Sequence, residues 1–110
     1  MTSETFTAIR SSLGCPGYVF EEGPLGNGWY LCVVFETADG LQQGRKWYVS
    51  PHSTESEVVQ TALKALLTAA EHEIRETFRY QGAAVFSPHF NVHDFVWLSH
   101  AGSSDRRADG

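Results

Sequence analysis

Cysteine and positive charge are both scarce in this chain, and it has no long hydrophobic run. The two cysteines, Cys15 and Cys32, show no CxxC spacing; one precedes a proline in a turn and the other lies inside an apolar, strand-like run. Reduced structural thiols are expected, not a disulfide framework. Eight lysines and arginines stand against thirteen carboxylates, for a formal net charge of -5. The bases are scattered as Arg45 with Lys46, Lys64, Arg75 with Arg79, and Arg106 with Arg107. Affinity for nucleic acid comes largely from neutralising phosphates, so nucleic acid is a disfavoured partner. The longest apolar stretch, ALKALLTAA, is interrupted by Lys64 and Thr68 and falls far short of a membrane span. The first fifteen residues hold no apolar run flanked by positive charge. A soluble, cytoplasmic protein without membrane contact is expected. Motifs of nucleophilic catalysis and phosphate binding are missing too. There is no GxSxG elbow, and EGPLGNG lacks the lysine and following helix of a P-loop. No cofactor is expected.

What is present is enough to build one core: 110 residues, 42% of them hydrophobic, with three tryptophans. A single α+β domain over residues 1–100 is expected, with the small, polar segment 101–110 as a disordered tail. Phe6, Ile9 and Leu13 at helical spacing, with Ser3 as N-cap and Gly14 as stop, predict a short helix over 3–13. A brief strand, Tyr18 to Glu21, leads into the glycine-rich loop EGPLGNG. WYLCVVFE, residues 29–36, is apolar on both faces and predicts a central strand shielded on both sides. The Asp-Gly turn in TADG returns the chain as a hairpin over 29–50, ended by Pro51. Thr54 and Glu57 have capping-box spacing, and Val59, Leu63, Leu66, Ala70, Ile74 and Phe78 trace one apolar face. One long helix over about 54–79 is predicted, with Gly82 beyond its end. AAVFS is a further short strand, and Asn91 can cap a short terminal helix carrying Asp94 at its third position. The expected architecture is thus a three-stranded antiparallel sheet packed by one long helix, with a short N-terminal helix and a C-terminal strand or helix extension.

The order helix, three strands, helix over residues 3–72 resembles the double-stranded RNA-binding domain. PGYVFEEGPLGNGWYLCVVF is similar to that family's proline, tyrosine and Gly-Pro strand-loop-strand segment, and ALKALL falls where it carries an alanine-rich second helix. The family grips phosphates with lysines at the start of that helix. Here the matching positions read STESEVV, whose carboxylates repel a phosphate backbone, and GPLGNG lacks the family's loop histidine. Members with weakened RNA contacts serve as protein-interaction modules, and this is the function the resemblance implies. The segment EHEIRETFRYQGAAVFSPHFNVHD resembles parts of uncharacterised small proteins from phages and high-GC bacteria.

Two sets of residues are candidates for function. Trp29, Trp47, Tyr48, Phe90 and Trp97 are aromatics of the kind enriched at interfaces, weighed against packing in the core. They belong to the reading as a non-enzymatic adaptor that binds a protein partner or a second copy of itself as a dimer. The second set serves a rival reading, a small metal-dependent hydrolase. His72 and Glu76 lie four apart on the predicted helix and could act as a base and its partner, or as metal ligands together with His89, His93 and Asp94. HExxE is not the HExxH of zinc proteases, and a mixed-charge run such as EHEIRE also suits a solvated face.

Overall fold

Thr2, one residue earlier than the sequence indicates, caps the first helix in the computed structural model, which describes residues 1–71 and 75–88. Its hydroxyl accepts the Thr5 N–H, and α1 (Ser3–Ser11) buries Phe6 and Ile9. The terminal helix expected from Asn91 and the tail 101–110 lie outside the described residues. Gly14 is not the helix stop: it pairs with Arg79 as part of β1 (Leu13–Gly14).

Strand β2 (Tyr18–Leu25) runs through most of the segment that reads as a loop. Gly23, Pro24 and Leu25 pair with Tyr30, Trp29 and Gly28, which leaves only Gly26 and Asn27 as the turn. A proline is tolerated because β2 lies at an edge of its sheet, where a missing N–H need not cost a ladder bond. The ten-residue β3 (Gly28–Thr37) is paired with β2 along one side. Its other side is shared by β4 (Gly40–Gln43) and by β5 (Trp47–Val49); the turn before β4 is Ala38-Asp39, one residue earlier than the expected Asp-Gly turn, and Gly40 pairs with Thr37. Residues 44–46 interrupt the returning strand, although Gly44 N–H still reaches Val33 O at 2.7 Å.

Helix α2 (Glu55–Ala69) starts as expected. Thr54 Oγ1 accepts the Glu57 N–H while the Glu57 carboxylate accepts the Thr54 N–H, satisfying two donors that the helix end leaves open. The helix stops ten residues before Arg79. Ala70 caps it, and Glu71 takes a left-handed conformation at φ 54. The apolar spacing that extends to Phe78 is coincidental, because Phe78 is buried as a residue of β6 (Phe78–Tyr80). That strand pairs on one side with β1 and on the other with β7 (Ala83–Phe86). Pairing with two neighbours satisfies its backbone and outweighs a weak helical preference. Gly82 sits in the β6–β7 turn, where Gln81 and Gly82 both have positive φ, as a two-residue hairpin turn of type I′ requires.

The chain is therefore α+β, and its described residues form two antiparallel sheets, β1-β6-β7 and β2-β3 with β4 and β5, where one three-stranded sheet and one long helix were expected. Both helices cover one face of the larger sheet. Leu31 and Val33 of β3, Phe20 of β2 and Val49 of β5 meet Val58, Ala62 and Leu66 of α2 there, and Phe6 of α1 stacks on Trp29 with ring centroids 4.9 Å apart. Phe20 also meets Phe78 at 5.5 Å, which joins the second sheet to the same core. Among the described residues no helix is long and apolar enough to cross a membrane.

Candidate functional site

Alternation along β3 sends Trp29, Leu31, Val33 and Phe35 toward the helices and Tyr30, Cys32 and Val34 to the opposite face. The pairing register adds to that outer face Val19 beside Val34, Tyr48 beside Tyr30, and Leu41 beside Glu36. Val19, Leu41 and Tyr48 are 58, 73 and 48% exposed. Among the described residues, the strand expected to be covered on both sides or at least well shielded has helices over one side, and its outer side is partly apolar and exposed.

Local contacts fix this outer surface. The Tyr30 ring lies beside Gly23, with the Lys46 ammonium 4.5 Å from its centroid. The Tyr48 hydroxyl donates to Asn27 Oδ1 in the β2–β3 turn. Cys32 is covered despite facing outward, and Gln43 Nε2 reaches its sulfur at 3.4 Å. Burial pushes its thiol upward from the ordinary value; the Gln43 hydrogen bond opposes that rise and the Glu21 carboxylate adds to it.

A second feature lies on the helix side, where α2 ends before covering the whole sheet. Two adjoining hollows of about 280 and 380 Å³ share Phe35, Ala69 and Glu71. Val33, Trp47 and Ala65 line one; Tyr18, Arg75 and Glu76 line the other. Tyr18 and Phe35 touch, with centroids 5.9 Å apart, and the Arg45 guanidinium lies 4.2 Å over Trp47. The result is an aromatic-floored cleft with charged residues at its rim.

These surfaces divide the candidate aromatics. Trp29 is half-buried against Phe6, Trp47 is half-buried in the cleft, and Tyr48 stands on the outer face. Phe90 and Trp97 lie outside the described residues, as do His72, His89, His93 and Asp94. Glu76 stands in the irregular stretch before β6, and its carbonyl faces the Cys15 thiol at 3.9 Å. Among the described residues no group of three or more histidine, cysteine, aspartate or glutamate side chains could hold a metal ion.

At the start of α2, where the RNA-binding resemblance would place its phosphate grip, a shallow hollow of about 450 Å³ is lined by His52, Glu57, Gln60 and Lys64 among others. Glu57 is engaged in the cap and Glu55 accepts the Tyr80 hydroxyl. Val19 and Leu41 are surface residues that sequence reasoning missed. The signal was present in VFE and LQQ, but the side on which helices would fall was not. No protein-family model, no curated protein and no solved structure matches this chain.

Proposed function

We propose that the chain is a non-enzymatic protein-binding module that associates with a protein partner, or with a second copy of itself, through the outer face of its larger sheet. The observation that carries this reading is that exposed Tyr48, Val19 and Leu41 stand on one face of the sheet, beside Tyr30, Val34 and Glu36 in turn along β3. Grouped apolar surface of this kind marks interaction sites more often than scattered single residues do. Glu21, Glu36 and Lys46 supply polar and charged groups around it. The carboxylates at the start of α2 favour a protein over a nucleic acid as partner.

Size sets the strength. Three strands about 4.8 Å apart and about eight residues long offer roughly 400 Å², against about 800 Å² per partner in a standard stable interface. Association through this face alone is therefore weak and concentration-dependent. Sedimentation of the full chain over a wide concentration range, together with mass spectrometry of proteins co-purified from the source cell, tests the reading. Val19→Glu with Leu41→Glu is expected to abolish self-association, or capture of one reproducible partner, while the circular dichroism spectrum is retained. A chain that remains monomeric at all concentrations and captures nothing sensitive to this pair would overturn the proposal.

A further inference from the structure

The outer face of the larger sheet carries opposite charges at its two ends. Along β3, Tyr30 stands near one end and Glu36 near the other, six residues or about 20 Å apart. The exposed Lys46 holds its ammonium 4.5 Å from the Tyr30 centroid, so the first end is basic. The second end carries the exposed carboxylate of Glu36, with Asp39 in the turn beyond it. Neither Lys46 nor Glu36 has an ion-pair partner among the described residues, and their separation keeps them from meeting each other. The exposed apolar groups divide in the same way. Tyr48 pairs with Tyr30 at the basic end and Leu41 with Glu36 at the acidic end, both on the side of β3 away from β2. A face whose ends complement each other also complements a second copy turned end for end. We infer that the outer face packs on the outer face of a second copy about a two-fold axis running across the strands, with Lys46 of each copy against Glu36 of the other and Tyr48 over Leu41. The pairing rests on the outer face being an interaction surface, as proposed above, and names its occupant.

Charge chooses the orientation. Two sheets that pack face to face keep their strands nearly aligned, so a two-fold axis in the contact plane runs either across the strands or along them. An axis across them exchanges the ends and keeps the sides, which forms the Lys46–Glu36 pair twice and brings the two most exposed groups of the β4 and β5 side, Leu41 and Tyr48, together. Its cost is at the β2 border, where Glu21 approaches its symmetry mate with both carboxylates exposed. An axis along the strands would instead bring Lys46 toward Glu21. It would also set Glu36 against the other copy's Glu36 and carry Leu41 past the start of β2, whose register begins at Tyr18 and Phe35. With roughly 400 Å² per copy, half of a standard interface, apolar contact alone is marginal and the charged ends decide which arrangement forms.

Sedimentation of the full chain at low ionic strength tests it. Lys46→Glu and Glu36→Lys are each expected to weaken self-association about tenfold or more, because one reversed charge acts at two symmetry-related contacts. Both changes in one chain restore the pairs without altering the net charge, and should return the dissociation constant to within about threefold of the starting value. Glu21→Gln should leave association equal or stronger. Should either reversal disturb the circular dichroism spectrum, Lys46→Gln and Glu36→Gln replace the pair, each weakening association severalfold. A double variant that does not recover, or weakening by Glu21→Gln, would overturn the arrangement in favour of the axis along the strands. A chain that stays monomeric yet captures a partner lost on Val19→Glu with Leu41→Glu would overturn the second copy as occupant, while the outer face would stand as a protein-binding surface. A monomer that captures no such partner would sink both.

Discussion

The ring of Tyr30 rests directly over Gly23 on the neighbouring strand: a Cβ at position 23 would fall 2.4 Å from Tyr30 Cε2. The two residues are register partners, and the missing side chain on β2 lets the ring lie across the outer face between Gly23 and Lys46. Gly23→Ala is therefore expected to lift the ring at a cost of about 1 kcal/mol or less, because the atoms it meets are the far end of a half-exposed side chain. Urea denaturation measures it. In a Tyr30→Ala background the same change should be close to neutral, because the clash has been removed; an equal cost in both backgrounds would point to strain in the β2 backbone instead.

The cap of α2 makes a second expectation. Thr54→Ala removes the hydroxyl that accepts the Glu57 N–H and should lower stability by about 1 kcal/mol. Glu57→Ala removes the reciprocal bond to the Thr54 N–H. Because the two bonds hold one turn in place, the double variant should lose less than the sum of the single losses, a coupling that a double-mutant cycle reads directly.

Alkaline pH supplies the third. Burial, helped by the Glu76 carboxylate, pushes the Cys15 thiol up to about 11 from 9.0. Burial, then the hydrogen bond to Glu55, pushes the Tyr80 hydroxyl up to about 12 from 10.0. Both groups hold their protons more tightly in the folded chain than in the unfolded one. Their stabilising contribution is complete below about pH 9 and is lost as pH rises through the folded values toward about 12. The denaturation midpoint should fall across that window, and Tyr80→Phe should make the fall shallower above pH 10. A midpoint that is flat from pH 9 to 12 would contradict the protonated burial of both groups.

Local chemistry was legible in the sequence where it is written in consecutive residues. The capping box at Thr54 and Glu57, a turn within TADG, though one residue earlier than Asp-Gly, and the short strand at Ala83–Phe86 were all read from the residue order. Elements that depend on distant pairing were not. Phe78 continues the helical spacing of Leu63 and Leu66, and only its pairing with Phe86 makes it a strand residue. Gly23 and Pro24 read as a loop because nothing nearby shows that Trp29 and Tyr30 will face them. The candidate surface was half visible for the same reason. Tyr48 could be named from composition, whereas Val19 and Leu41 gain their meaning from a register and from the face on which the two helices fall.

The interruption at residues 44–46 governs what kind of assembly the molecule can enter. It divides the outer edge of the larger sheet into runs of four and three residues, β4 and β5, set apart by a break in the ladder. An edge so short and uneven is a poor template for a strand from another chain, and templating is the step by which sheet proteins grow into fibres. This border resists such growth, and on the opposite border, β2, Pro24 leaves one position without an N–H to offer.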